Sequence, residues 1–196
     1  AAIEEPAEVR AWNDEAREIG QPVIDAGGAG DDPALLAAVA RVDAFGERVN
    51  DWVYAKTREI LGQSKLPVIV GGDHSTPFGA IKAVAEAHPG VGVLHVDAHA
   101  DLRNAYEGFT WSHASIMFNV AERIPGVSKL VQVGIRDFCE EEFDYIAASG
   151  GRIVTHFDAT LARERMRGAT WFPQVERIVS ALPSEVYVSF DIDGLD

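Results

Sequence analysis

The chain has 196 residues, of which 47% are hydrophobic and 24% charged, so it can bury the core of one α/β domain. Its 31 acidic side chains against 17 Lys and Arg give a net charge of −14, which argues against nucleic acid or an anionic membrane as a partner because both bind basic patches. Apolar runs stay shorter than the roughly 18–20 residues that a membrane-spanning helix requires. The single cysteine, Cys139, excludes an internal disulfide and predicts a reducing, cytoplasmic location.

Short apolar runs alternate with longer helical patterns along the chain. The periodicity predicts, in chain order, a helix over 33–61, a strand over 66–71, a helix over 77–88, a strand over 91–97, a helix over 112–123, a strand over 129–135, a helix over 139–149, a strand over 152–155, a helix over 172–182 and a strand over 186–191. Nearly continuous apolar strands are typical of sheets covered on both faces. The pattern therefore predicts a single α/β domain over 1–196, with three αβα layers and a mostly parallel central sheet.

Polar, ligand-type side chains follow three of the predicted strands, within residues 71–75, 97–101 and 191–196. Ligands bind beyond the carboxyl ends of parallel strands, so we expect these three clusters to meet at one edge of the sheet. Alternate side chains of an extended segment point to the same face. Asp97, His99 and Asp101 should therefore converge on one point.

A dinuclear metal centre is the favoured interpretation of these clusters. Carboxylates packed together raise one another's pKa unless a cation compensates their charge. Carboxylate and imidazole ligands without thiolate suit manganese, and also zinc, iron or cobalt. Six candidate ligands exceed one tetrahedral site, which favours two ions about 3.5–4 Å apart with bridging carboxylates and an activated water. The candidates are His74, Asp97, His99, Asp101, Asp191 and Asp193.

Three other histidines are less favoured as functional residues of the site. His95 lies two residues before Asp97 and should therefore face the same side of the strand. Because it lies deeper in that strand, we interpret it as a core histidine. His88 follows a predicted helix and is expected at the surface. His156 follows a strand end, where a structural role is favoured over a functional one.

Three segments resemble the metal-binding signatures of the ureohydrolase family, which includes arginase, agmatinase and formimidoylglutamase. They are Gly-Gly-Asp-His-Ser at 71–75, Asp-Ala-His-Ala-Asp at 97–101 and Ser-Phe-Asp-Ile-Asp-Gly-Leu-Asp at 189–196. Val-Gly-Ile-Arg at 133–136 also resembles a strand-end sequence of the family. The resemblance covers about 67–196 and implies an arginase-like fold, with the family's first strand and C-terminal part outside this chain.

The resemblance implies a role for each candidate ligand. His74 and Asp101 would bind the first of two Mn²⁺ ions, and His99 and Asp193 would bind the second. Asp97 and Asp191 would bridge the two ions, while Asp196 would be mainly structural.

The resemblance also implies two catalytic residues and a reaction. His113 would pass a proton to the leaving amine, although Ala114 and Ser115 follow it where the family usually has glycine. Asp101 would help to hold the tetrahedral intermediate. The implied reaction is hydrolysis of a guanidino or formimino C–N bond, which releases an amine with urea or formamide.

Substrate choice is expected to depend on Arg103. A guanidinium can pair bidentately with a carboxylate, which favours arginine, a guanidino acid or formiminoglutamate over agmatine. The alternative is an arginine that faces solvent or pairs with Glu107. Asn104 is a second candidate substrate contact, and Tyr106 and Trp111 are candidates to line the entrance of the same site. Family members are commonly trimers or hexamers, so a homo-oligomer is expected.

Two alternative functions stay open at this point. One is a deacetylase-like site with a single zinc, for which the second pair of aspartates would be superfluous. The other is a non-catalytic relative that retains metal for stability. Metallophosphatase and amidohydrolase-barrel sites are not favoured, because the sequence contains neither an Asn-His pair nor a His-x-His motif.

Overall fold

Residues 3–195 are described by the structure, a computed structural model, and Asp196 therefore lies outside the described residues. The helices and strands are, in chain order, α1 (Ala7–Asp25), α2 (Pro33–Gly62), α3 (Phe78–Ala87), β1 (Gly92–Val96), α4 (Ile116–Arg123), β2 (Lys129–Ile135), α5 (Glu140–Ala148), β3 (Ile153–Phe157), α6 (Asp158–Met166), α7 (Trp171–Ser180) and β4 (Val186–Phe190). Short 3₁₀ turns cover His113–Ser115 and Ile192–Leu195.

The central sheet has the order β3-β2-β1-β4, and every neighbouring pair is parallel. Val93 and Leu130 are paired in register and belong to the buried core that α3 and α4 complete. Gly92 faces the opposite way, where a Cβ would lie 2.5 Å from Pro183 just after α7. Helices thus cover both faces of a parallel sheet, which confirms the predicted three-layer class.

The long helix α2 begins at Pro33 because the preceding residue caps it. The side chain of Asp32 accepts hydrogen bonds from the amides of Ala34 and Leu35, at 2.8 and 3.3 Å. Proline is favoured at the first helical position, since its missing N–H is not needed there. Helix α2 packs against α1 and α3.

The predicted strand over 66–71 is wrong, because the segment forms no strand. A strand requires a hydrogen-bonding neighbour, and β4 lies across a cavity of about 550 Å³ that both segments line. The side chains of Leu66 and Val70 are consequently 86% and 92% exposed.

Two helices, α1 and α6, were not predicted from the sequence. Helix α1 buries only Val9, Gly20 and Val23, and α6 buries only Leu161. The periodic apolar signal of α6 is therefore weak, whereas α1 is amphipathic but contains Pro22, a residue that argues against a helix. Over residues 3–195, none of the helices combines the length and apolar character needed to cross a membrane.

Candidate metal centre

The segment after β1 stays paired with the chain after β2, and this pairing fixes the Asp97–Asp101 loop. The Ala98 carbonyl accepts hydrogen bonds from the amides of Arg136 and Asp137, at 2.8 and 3.0 Å. The amide of Ala100 in turn donates to the Asp137 carbonyl at 3.2 Å. The loop thus stays paired with the chain after β2 beyond the end of the strand, with a bend at Ala98 and a parallel bridge between His99 and Asp137.

Asp101 ends this loop in a left-handed conformation, with φ of 54°. Its carbonyl accepts hydrogen bonds from the amides of Met117 and Phe118, at 3.0 and 3.1 Å. These are early amides of α4, which lack partners within the helix. The unusual backbone therefore caps α4 and also turns the Asp101 carboxylate into the site.

The first group of ligand atoms surrounds His74. Its Nδ1 lies 2.9 Å from an oxygen of Asp97, 2.9 Å from an oxygen of Asp101 and 3.6 Å from an oxygen of Asp191. Yet this buried nitrogen has no hydrogen-bond partner among the described residues. A nitrogen and carboxylates that face one another without a shared hydrogen fit a cation between them.

The orientation of the His74 ring comes from β4. Nε2 lies 2.8 Å from the hydroxyl of Ser189, which is buried. A ring that donates its Nε2–H to this hydroxyl presents the Nδ1 lone pair to the carboxylates, as a metal ligand must.

The second group of ligand atoms surrounds His99. Its Nδ1 lies 3.0 Å from an oxygen of Asp193 and 3.5 Å from Oδ1 of Asp97. The other Asp97 oxygen, Oδ2, is the one that faces His74. Asp97, which is only 1% exposed, therefore presents one oxygen to each group.

The electrostatics of the first group show the need for positive charge. Burial lowers the pKa of His74, but the Asp101 and Asp97 carboxylates outweigh it and raise that pKa to about 10. Burial also raises the pKa of Asp101, and the neighbouring Asp97 adds to the rise. Without a cation, the His74 imidazolium would have to balance these acids. A divalent ion can take that place and leave His74 neutral.

The two groups form the floor of a cleft of about 370 Å³. Arg103, Tyr106 and His113 line its wall, together with Asp137 and Glu142. The guanidinium carbon of Arg103 lies 5.2 Å from the centre of the Tyr106 ring, and the exposed His113 meets the same ring edge-on at 5.7 Å.

The other predicted residues are placed as follows. Arg103 lies 3.8 Å from the Glu142 carboxylate, and the structure records no pairing with Glu107. Asn104 is exposed and is not among the residues that line the cleft. Trp111 packs on Phe78 in the core.

The three remaining histidines occupy distinct environments. His95 is fully buried beneath Asp97, as interpreted from the sequence. His88 contacts Glu185 at the surface at 2.9 Å, also as expected. His156 lies on β3, away from the residues that line the cleft.

Sequence reasoning missed two residues that shape the site, Ser189 and Glu142. Ser189 precedes Asp191 by two positions, so its alternation with that acid could have revealed it. The buried Glu142 carboxylate accepts hydrogen bonds from the amides of Leu102 and Cys139, both at 2.8 Å. No local pattern links Glu142 to Leu102, which lies 40 residues earlier.

Comparison with known proteins agrees with this geometry. The model of the arginase family matches residues 21–196. The mitochondrial arginase of Medicago truncatula is 38% identical over 153 residues, which are 76% of this chain and 42% of that protein. The agmatinase of Halalkalibacterium halodurans is 30% identical over 150 residues, which are 76% of this chain and 47% of that protein.

Solved structures show the same likeness. The arginase of Bacillus cereus superposes with a TM-score of 0.63 at 26% identity, over 82% of this chain and 57% of that one. The chain thus spans about half the length of the relatives that it matches. From the family model, the relatives and the fold together, the chain belongs to the arginase family.

Proposed function

We propose that this chain holds the dinuclear manganese centre of a ureohydrolase, which hydrolyses a guanidino C–N bond and releases urea and an amine. Arginase-family proteins are metal-dependent hydrolases of C–N bonds in linear amidines. One observation carries the proposal: the two oxygens of Asp97 belong to two separate ligand groups at the floor of one cleft.

The donor set fits two Mn²⁺ ions. His74, Asp97 and Asp101 would hold one ion, and Asp97, His99 and Asp193 would hold the other. Asp191 is proposed as a second bridge, since its Oδ2 lies 3.6 Å from His74 and its side chain lines the cleft. Such a pair of ions would supply a nucleophilic hydroxide at neutral pH and would stabilise the oxygen and nitrogen atoms of the tetrahedral intermediate.

The remaining groups of the cleft would bind the substrate and move protons. The acids of the lining attract a cationic guanidinium, which agrees with the net charge of −14. Asp101 at the floor would hold the reacting group in place. His113 on the wall would carry a proton to the amine that leaves.

Arg103 supports a substrate with a carboxylate at the end remote from the guanidino group. Its guanidinium lines the cleft and stacks on Tyr106, so it can meet a carboxylate with two parallel hydrogen bonds. Arginine or a guanidino acid would gain this contact, whereas agmatine has no carboxylate to offer. Formiminoglutamate is the alternative substrate, and hydrolysis of its formimino C–N bond would release formamide. Assembly as a trimer or hexamer stays a prediction from the resemblance.

Metal counting tests the proposed centre. The chain should bind two equivalents of Mn²⁺, as measured by calorimetry and by elemental analysis after gel filtration. Asp193→Asn should retain one ion and Asp97→Asn should lose both, because the two oxygens of the buried Asp97 face the two groups. Asp144→Asn, which changes an exposed carboxylate of α5, is the matched control and should retain two. A single zinc per chain, with no second site, would favour the deacetylase-like alternative instead.

A substrate panel tests the reaction. The manganese-loaded protein would be incubated with arginine, agmatine, 4-guanidinobutyrate and formiminoglutamate, and urea, formamide and ammonia would be measured. We expect urea from a guanidino acid, and loss of its release in His113→Phe with both ions retained. No product from any compound, with two ions bound, would contradict catalysis and favour the non-catalytic alternative.

A further inference from the structure

Four polar side chains form a row across the sheet, one level below the metal ligands; three of them are buried and Thr155 is half-buried. Register pairs His95 of β1 with Gln132 of β2 and with Ser189 of β4, and it pairs Gln132 with Thr155 of β3. His95 and Gln132 are both 0% exposed. Side chains in register on parallel strands point to the same face, so the row is continuous. Polar groups at this depth are retained only where their hydrogen bonds are satisfied.

The hydrogen bonds of Gln132 can be assigned without ambiguity. Its Nε2 lies 2.7 Å from the carbonyl oxygen of Ala100, which can only accept, so Nε2 is the amide nitrogen. The Thr155 hydroxyl donates to the opposite atom, Oε1, at 2.8 Å. The second hydrogen of Nε2 is then directed to Nδ1 of His95, 3.0 Å away.

This assignment fixes the tautomer of His95. Because Nδ1 accepts a hydrogen bond from Gln132, the ring proton of a neutral imidazole is on Nε2. Nε2 lies 2.7 Å from Oδ2 of Asp97 and donates to it. Both ring nitrogens are thus engaged, and neither has a lone pair free for a metal ion. His95 therefore belongs beneath the centre, although its Nε2 lies close to the ligand atoms of the first group.

Gln132 joins two parts of the centre through one amide. One of its hydrogens orients His95 against the shared carboxylate of Asp97. The other holds the carbonyl of Ala100, in the loop between His99 and Asp101. Movement of this amide would disturb the shared ligand and the loop together.

We propose that Gln132 and His95 are positioning residues that hold Asp97 in the orientation from which it bridges two metal ions. The proposal rests on the proposed function for the presence of the ions. Its distinct content is the donation from Nε2 of His95 to Asp97, which exists before any ion is bound. Hydrogen-bond partners of metal ligands typically contribute 10–100-fold to metal affinity.

The first test uses the metal-free wild-type chain. Histidine ¹⁵N shifts and long-range ¹H–¹⁵N correlations report which ring nitrogen carries the proton. We expect His95 to be protonated at Nε2 and unprotonated at Nδ1, with the resonance assigned by its loss in His95→Gln. The opposite tautomer would overturn the proposal, whatever the protein catalyses.

The second test compares Mn²⁺ affinity between two matched glutamine variants. Gln132→Met and Gln174→Met each remove a buried amide that donates to a main-chain carbonyl, and Gln174 is not among the residues that line the cleft. Gln132→Met should bind Mn²⁺ about 10–100-fold more weakly, while Gln174→Met should retain wild-type affinity. His95→Gln, which keeps a side-chain N–H donor, should bind more tightly than His95→Leu.

The outcomes separate this proposal from the proposed function. A wild-type chain that binds two ions, with Gln132→Met equal to Gln174→Met, would overturn the positioning role alone. A wild-type chain that binds no manganese would overturn both. Circular dichroism on each variant shows whether it is folded, and the wild-type tautomer decides the matter if Gln132→Met does not fold.

Discussion

The Nε2 of His74 and the hydroxyl of Ser189 lie 2.8 Å apart, although 115 residues separate them in the chain. This contact directs Nδ1 of His74 towards Asp97 and Asp101, which follow β1. We predict that Ser189→Ala weakens binding of Mn²⁺ about 10-fold, because the ring loses its orienting partner. Calorimetry would measure the affinity. Ser128→Ala removes a surface hydroxyl bonded to the Gly90 carbonyl and should leave the affinity unchanged. Equal affinities in the two variants would argue against an orienting role.

Arg103 should distinguish substrates that carry a carboxylate. If it pairs with that group, Arg103→Leu should lower kcat/KM for arginine by an amount equivalent to about 1.5–3 kcal/mol, the contribution of a hydrogen bond to a charged group. The value for agmatine should change little. Arg165→Leu is a matched control, since Arg165 also stacks on an aromatic ring but lies outside the cleft. A parallel fall for both substrates would instead indicate general damage to the cleft wall.

The packing of α2 against α3 should be sensitive at Gly79. A Cβ there would collide with the Asn50 carbonyl and would lie 2.7 Å from the Tyr54 amide nitrogen. We predict that Gly79→Ala destabilises the fold by about 1–3 kcal/mol, because backbone must move to admit the methyl group. Gly62→Ala meets nothing within 4 Å at the end of α2 and should be neutral or stabilising by up to about 1 kcal/mol. Urea unfolding of both variants would check this, and equal stabilities would contradict the close approach.

Acid sensitivity is expected at His156. Burial lowers its pKa below 6.5, and the nearby Arg177 adds to that effect while Glu164 opposes it. The unfolded chain therefore binds a proton more readily than the folded one. The folded state should lose stability as the pH falls from about 6.5 through the lower folded pKa, with no effect of this group above that range. His156→Gln should reduce the slope of unfolding free energy against pH. An unchanged slope in His156→Gln would contradict the expectation.

The sequence predicted the class of the fold, which is confirmed, and it also predicted candidate ligands that lie close together, whose role as a metal centre stays a prediction. The alternation of Asp97, His99 and Asp101 is local, so it could be interpreted without knowing the neighbours of β1. The segment at 66–71 shows the opposite case, because its apolar run is typical of a strand but a strand exists only beside another. The row formed by His95 and Gln132 depends on register between strands. No pattern within one strand encodes that register.

The position of His74 does not depend on the strand that was wrongly predicted over 66–71. The residues that place it are Gly71 and Gly72, both with positive φ, and the side chain of Ser189. The imidazole is thus held next to a turn and by a hydroxyl of β4, while the preceding segment forms no strand.

The free side of β4 has a practical consequence. Within residues 3–195, β4 pairs with β1 alone, and Val188 and Phe190 are more than half exposed beside the apolar run that contains Leu66. Unpaired strand edges with apolar side chains recruit other polypeptides and promote aggregation. We therefore expect this polypeptide to aggregate during purification, and the aggregated fraction to rise with protein concentration. Val188→Lys would add charge to this edge, and Val188 is not among the residues that line the cleft.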